Sequence, residues 1–132
     1  MWTGFKDLIT IYGSGTVNIN TASAEVFRAL GLDESLVEMI TTYRAGPDAN
    51  EGTEDDGIFE QPSQIAMDLR EWTGLTAAQE ASLVQAMSQG LLDVTSTAFS
   101  LHVQTRVLGK PVATYTIVLD ASTGKVKRWT EL

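Results

Sequence analysis

Apolar residues recur at helical spacing between residues 21 and 90 of the chain. Because three or four apolar side chains per two turns form the buried face of a helix, the pattern predicts four helices, which cover about residues 22–30, 34–44, 62–71 and 77–89. The side chains expected on their apolar faces are Val26, Phe27, Leu30, Leu36, Val37, Ile40, Tyr43, Ile65, Met67, Leu69, Leu83, Val84 and Met87.

Capping residues mark where these helices begin. Thr21 and Asp33 can each accept a hydrogen bond from a free N–H group of the first helical turn. Pro62 suits the first position of the third helix. Thr76 followed by Gln79 matches the capping box, so it predicts the start of the fourth helix.

The pattern changes from helical to alternating after Gly90. Apolar and polar residues alternate from Thr97 to Val107, and two further strands are expected at residues 112–119 and 126–129, with turns at residues 109–111 and 122–124. Alternation of this kind is typical of an antiparallel meander with one solvated face. Residues 8–12 form a further candidate strand, and residues 17–20 a short extended segment.

The order of these elements predicts an α+β protein in which a helical block interrupts a sheet. Residues 1–20 are expected to contribute an N-terminal strand to the sheet, residues 21–90 to form the inserted helical domain, and residues 91–132 to form the C-terminal β-meander.

The net charge of −8 is distributed unevenly. Residues 1–96 contain 15 acids and 4 bases, whereas residues 97–132 contain 2 acids and 5 bases. Affinity for nucleic acid comes largely from Lys and Arg side chains that neutralise phosphates. The acidic helical part therefore argues against a nucleic-acid partner.

Candidate catalytic groups are sparse. The chain has no cysteine and one histidine, which excludes thiolate or multi-histidine zinc sites and Cys–His nucleophile pairs. His102 lies in the polar register of a predicted strand and is interpreted as a surface residue. Asp55 and Asp56 lie in a loop that offers no desolvation to separate their pKa values. We expect that the protein is not an enzyme.

No run of eighteen apolar residues is present, so no membrane-spanning helix is predicted within this sequence. The first four residues, Met-Trp-Thr-Gly, lack the basic and apolar regions of a signal peptide.

The segment VNINTASAEVFRAL, residues 17–30, carries a family resemblance. It is similar to the Asn-x-Asn-Thr-Ala signature found in two groups of proteins. One is the helix-hairpin-helix domain of competence-type DNA receptors, and the other is the minor pseudopilin K of bacterial type II secretion systems.

The DNA-binding alternative rests on the two predicted hairpins. Helix-hairpin-helix modules contact phosphate through the backbone of a Gly-x-Gly hairpin and through basic side chains that follow it. The first hairpin of this chain keeps Gly31 but has Asp33 and Glu34 in the next positions. The second keeps Gly74 but not the later glycine. Because carboxylates repel phosphate, the hairpins are interpreted as structural.

The K-type resemblance extends over about residues 8–132. It includes Thr95–Phe99 at the start of the meander and Trp129–Glu131 near its end. It implies a helix-hairpin-helix-like domain inserted into a pilin-like antiparallel sheet. It also implies a structural role at the pseudopilus tip, with the I-type and J-type minor pseudopilins as partners. The expected location is the periplasmic face of the bacterial inner membrane, with membrane attachment only through an N-terminal helix that this chain lacks.

Calcium is the one ligand that the resemblance implies, because pseudopilins commonly bind it. The candidate ligands lie in the acidic segment of residues 48–57, which offers hard carboxylate oxygens, but not at the spacing of an EF-hand. A solvated or disordered acidic loop without calcium is the alternative. The five candidate ligands are Asp48, Glu51, Glu54, Asp55 and Asp56.

Overall fold

The computed structural model describes residues 12–132, which form two compact units. Residues 15–95 make up the first, which we call the helical unit. Residues 96–132, together with residues 12–14, make up the second, which we call the sheet unit. Apart from Tyr12, the strand expected at residues 8–12 lies outside the described residues.

The helical unit begins and ends with two short strands, β1 and β2, that pair in parallel. Two hydrogen bonds of 2.8 Å, from the N–H of Val17 to the carbonyl of Leu91 and from the N–H of Ile19 to that of Asp93, hold the two ends together. The four predicted helices lie between them and are confirmed, and a short 3-10 turn at Pro62–Gln64 leads into the third. The elements are β1 (Val17–Asn18), α1 (Ala24–Ala29), α2 (Glu34–Ala45), α3 (Ile65–Thr73), α4 (Ala77–Ser88) and β2 (Leu92–Asp93).

Two of the predicted N-caps are confirmed. The carboxylate of Asp33 accepts hydrogen bonds from the N–H groups of Ser35 and Leu36 at the start of α2. Thr76 and Gln79 form the reciprocal capping box of α4.

The prediction that Thr21 caps α1 is wrong, since Ser23 occupies the N-cap position. The carbonyl of Asn18 accepts hydrogen bonds from the N–H groups of Thr21 and Ala22, at 3.2 and 3.0 Å. These bonds close a turn, so the helix begins at Ala24, two residues later than predicted.

Side chains from all four helices and both short strands form the core of the helical unit. Two predicted apolar positions are exposed instead, Met67 at 47% and Val84 at 51%. Burial of Leu83 and Ala86 fixes the rotation of α4. Because successive helical residues are about 100° apart, Val84 then points outward. The buried hydrophobic residues of this core are Ile19, Phe27, Leu32, Leu36, Val37, Ile40, Phe59, Ile65, Leu69, Leu83, Ala86 and Leu92.

The sheet unit is the antiparallel meander that the alternation predicts. Its strands are β3 (Ala98–Val107), β4 (Lys110–Asp120) and β5 (Lys125–Glu131), in the order β3-β4-β5. The register shifts between Thr105 and Arg106, and again between Val118 and Leu119. None of the helices within residues 12–132 is long and apolar enough to span a membrane.

The turn between β3 and β4 lies earlier than predicted. Val107 pairs with Lys110, so Leu108 and Gly109 form a two-residue loop, and Lys110 and Pro111 belong to β4 rather than to the turn. Both loop residues have positive φ angles, 47° for Leu108 and 77° for Gly109. Two-residue hairpin loops that need a positive φ at both positions favour Asn-Gly over Leu-Gly, because asparagine and glycine adopt that conformation more readily than leucine.

Replacing Leu108 by Asn is expected to stabilise the protein. Leu108 is 98% exposed, so the substitution gives up little packing. Asparagine adopts a positive φ with less strain than leucine does. The substitution should therefore raise the free energy of unfolding by about 0.5–1 kcal/mol. Chemical denaturation measures the change, with Leu132→Asn as a control at another exposed leucine. Equal stability of Leu108→Asn and the unaltered protein would contradict the strain argument.

Candidate functional site

The side chain of Asn20 joins three segments of the helical unit. Its Nδ2 donates to the carbonyl oxygens of Phe59 and Val94, at 2.9 and 3.1 Å. Its Oδ1 accepts a hydrogen bond of 2.9 Å from the N–H of Phe59. One amide group, on the second residue after β1, thus connects that residue with the segment before α3 and with the residue after β2. We call this arrangement the asparagine junction.

The rest of the Asn-x-Asn-Thr-Ala signature supports this junction. The Oδ1 of Asn18 accepts a hydrogen bond of 2.9 Å from the N–H of Asn20, which orients the second asparagine. Between them, Ile19 is fully buried in the core. The signature residues therefore make internal contacts that position the start of α1.

Arg44 links the turn before α1 to the acidic loop, residues 48–57. It is only 8% exposed, although it is charged. One guanidinium nitrogen donates to the carbonyl of Ala22 at 2.5 Å, and the other forms an ion pair with Glu51 at 2.8 Å. A buried arginine is stable only when it is paired and hydrogen-bonded in this way. Both partners, Ala22 and Glu51, lie outside the helices and strands.

The carboxylates of the acidic loop bind mainly to the loop itself. Asp48 accepts from the N–H of Asn50 at 2.8 Å, and Asp55 accepts from the N–H of Asp48 at 3.3 Å. The carboxylate of Asp56 accepts from the N–H of Gly52 at 2.6 Å, a bond that lowers the pKa of Asp56 below its ordinary value. These contacts resemble the turns that Asp residues favour, and they fold the loop on itself.

Two glycines bring the loop against the end of α2. A Cβ atom at Gly57 would lie 2.3 Å from the carbonyl oxygen of Tyr43, and one at Gly46 would lie 2.3 Å from that of Asp55. Gly57 also donates its N–H to Tyr43 at 3.1 Å. The backbone can approach this closely because neither glycine has a side chain.

The five predicted calcium ligands lie in one loop, but their carboxylates do not converge. The hydroxyl of Thr53 lies 2.7 Å from a carboxylate oxygen of Asp55 and 3.1 Å from one of Asp56, whereas Glu51 faces Arg44 and Glu54 is exposed. Across residues 12–132, no three His, Cys, Asp or Glu side chains are grouped so that they could hold a metal ion. Calcium binding by this loop stays a prediction, which calorimetric titration can measure.

A shallow cavity of about 180 Å³ lies between the asparagine junction and the acidic loop. Its walls are short of apolar side chains, and the charged groups within it, Arg44, Glu51 and Asp56, already have partners. A small-molecule site usually has predominantly apolar walls and few polar groups. The residues that line the cavity are Asn20, Arg44, Glu51, Gly52, Asp56, Gly57 and Ile58.

The polar groups at both hairpins are engaged in capping and ion pairs. The hydroxyl of Ser35 lowers the pKa of Asp33, and the guanidinium of Arg28 lowers that of Glu34, so both carboxylates are charged at neutral pH. A guanidinium nitrogen of Arg28 lies 2.6 Å from a carboxylate oxygen of Glu34, so the positive charge of Arg28 is compensated. The surface at the first hairpin is consequently unfavourable for phosphate.

A second cavity, of about 410 Å³, lies in the sheet unit. Asp120 lies in its wall and accepts hydrogen bonds from the hydroxyl and N–H of Ser122 and from the N–H of Thr123, while Lys127 lies 3.4 Å away. The Ser122 hydroxyl is the largest of the influences that lower the pKa of Asp120 from 3.8 to about 2. These bonds close the β4–β5 turn, so Asp120 has a structural role here.

His102 is an exposed residue of β3, as predicted. Its Nδ1 lies 3.2 Å from the hydroxyl of Thr116 on the neighbouring strand. No carboxylate within the described residues forms an ion pair with it.

Sequence reasoning missed Asn20 and Arg44 as the residues that hold the helical unit together. Arg44 gave a signal, because it follows Val37 and Ile40 on the apolar face of α2. Asn20 gave none beyond its place in the signature, since its partners lie 39 and 74 residues away along the chain.

Comparison with family models, curated proteins and solved structures found no match. The function is therefore inferred from the residues and their contacts.

Asn20→Ala is expected to destabilise the protein by about 3 kcal/mol. It removes three hydrogen bonds, each worth about 1 kcal/mol, and leaves backbone groups of the buried Phe59 without a partner. Urea denaturation measures the loss. Asn50→Ala, at an exposed asparagine of the acidic loop, is the matched control and should cost under about 0.5 kcal/mol. Similar losses in both variants would refute the junction's role.

The carboxyl of Asp120 is expected to titrate near pH 2, and an NMR titration of the folded protein would measure this pKa. Because its pKa is lower in the folded protein than in the unfolded chain, its stabilising effect is complete above about pH 4 and is lost as the pH falls towards 2. Ser122→Ala should shift the titration midpoint upward, whereas Ser100→Ala, on β3, should leave it unchanged. A midpoint near 3.8 in the unaltered protein would contradict the assignment.

Proposed function

We propose that this chain is part of a K-type minor pseudopilin of a type II protein secretion system. In this role it is a structural component of the pseudopilus tip, which assembles with I-type and J-type minor pseudopilins to support export of folded proteins across the outer membrane. It acts at the periplasmic face of the inner membrane and does no chemistry of its own.

The observation that carries the proposal is the place of the signature in the fold. Residues 12–14 group with residues 96–132, and the helical unit comes between them in the chain. The signature lies where the helical unit begins, and Asn20 bonds to Val94 where it ends. This arrangement supports a helical domain inserted into a pilin-like sheet, as the K-type resemblance implies.

The contacts at the hairpins favour a structural role over the alternative, a nucleic-acid-binding module of the competence DNA-receptor type. All three arginines of the helical unit are paired with glutamates: Arg28 with Glu34, Arg44 with Glu51 and Arg70 with Glu80. They are therefore not free to neutralise phosphates, which is the main source of affinity for DNA.

A binding experiment with the soluble I-type and J-type pseudopilins tests the proposal. We expect a ternary complex, detected by size-exclusion chromatography with light scattering, and no binding to duplex DNA at low salt. Glu34→Gln, which releases Arg28 at the first hairpin, is the control for the DNA arm. DNA binding that weakens steeply with added salt, without a ternary complex, would instead identify the chain as a nucleic-acid-binding module.

A further inference from the structure

One side of the β3–β5 sheet consists almost entirely of apolar side chains. Residues directly opposite each other on neighbouring strands share a face, so the pairs Phe99–Leu119, Leu101–Ile117 and Ile117–Trp129 place three strands' apolar residues together. We call this surface the apolar face. Its members are Phe99, Leu101, Val103, Val107, Tyr115, Ile117, Leu119, Val126 and Trp129.

The apolar face is largely open to solvent. Phe99 is 50% exposed, Trp129 61%, and four others between 39% and 61%. At about 200 Å² for a large side chain, these six present roughly 600 Å² of apolar surface, the upper end of what a soluble monomer leaves uncovered. The half-buried Tyr115, Ile117 and Leu119 add to this area.

The area matches what a symmetric dimer needs. Two apolar faces in contact would bury roughly 1,200 Å² or more, which reaches the range of specific protein interfaces. Two sheets can pack face to face about 10 Å apart with their strands nearly aligned. Trp129 and Tyr115, whose ring centroids lie 5.5 Å apart, provide the large aromatic anchors that dominate such contacts.

The distribution of charge also favours the apolar face as the contact between two copies. Residues 15–95 hold 14 acids and 3 bases, so two helical units repel each other. The opposite face of the sheet carries Arg106, Lys125 and Arg128, and Lys127 lies 3.4 Å from Asp120, the one carboxylate on that face. Beside the apolar face, the same side of the sheet carries one lysine, Lys110, and one glutamate, Glu131, whose charges cancel. Two copies of this face can therefore meet without like-charge repulsion.

We propose that a second copy of this chain binds to the apolar face, forming a two-fold symmetric dimer in which the two β3–β5 sheets pack against each other. An isologous contact of this kind closes on itself and stops at two copies. The inference does not rest on the proposed function, because it concerns the chain alone.

Sedimentation equilibrium of the purified chain tests the proposal. We expect dimers in the micromolar range. Val126→Lys places two buried charges in the interface and Trp129→Ala removes an anchor, so each should raise the dissociation constant by at least about tenfold. Val84→Lys is the matched control: Val84 on α4 is 51% exposed and Val126 is 52% exposed, and the control should leave the dissociation constant unchanged.

Two results would overturn the proposal. One is a chain that stays monomeric at every concentration, which would mean that another segment or partner covers the apolar face. The other is a dimer that Val84→Lys weakens as much as Val126→Lys does. Circular dichroism of each variant shows whether it retains its fold. Failure of the dimer leaves the pseudopilin proposal intact, since that proposal depends on binding to different proteins.

Discussion

The helical unit depends on the hydrogen bonds of a single side-chain amide. Phe59 is buried in a segment without helix or strand partners, so its N–H and carbonyl groups must find partners elsewhere or impose a desolvation cost. Asn20 supplies both, and it also holds the carbonyl of Val94 where the unit ends. The β1–β2 pair adds only a few backbone bonds at the same place. The closure of the unit therefore depends on an interaction that no helix or strand could make for itself.

Arg44 extends this constraint to the acidic loop. Burial of the guanidinium of Arg44 carries a desolvation cost. A hydrogen bond to the carbonyl of Ala22 and an ion pair with Glu51 offset that cost. The loop in turn satisfies its own backbone with aspartate side chains. A segment whose composition is typical of disorder is thus held by one cation and by its own carboxylates. The carboxylates of this loop therefore contribute to its own fold, as acceptors for backbone N–H groups.

The two units handle their apolar residues differently. The helical unit encloses its large side chains in one core, whereas the sheet unit has a single buried hydrophobic residue, Val118, and leaves its apolar face exposed. A three-stranded sheet cannot cover its own face, because all of its side chains stand perpendicular to it. An assembly role for the chain, whether with the minor pseudopilins proposed as its partners or with a second copy, is consistent with this incomplete burial.

The sequence by itself determined the elements whose causes are local. Asp33 and Thr76 cap helices through residues two or three positions away, and alternation from Phe99 to Val107 specifies a strand directly. Tertiary structure decided the rest. The rotation of α4 that exposes Val84, and the partners of Asn20 and Arg44, depend on residues outside their own helix or strand. Local rules cannot specify these features, because burial and long-range hydrogen bonds exist only once the chain has folded.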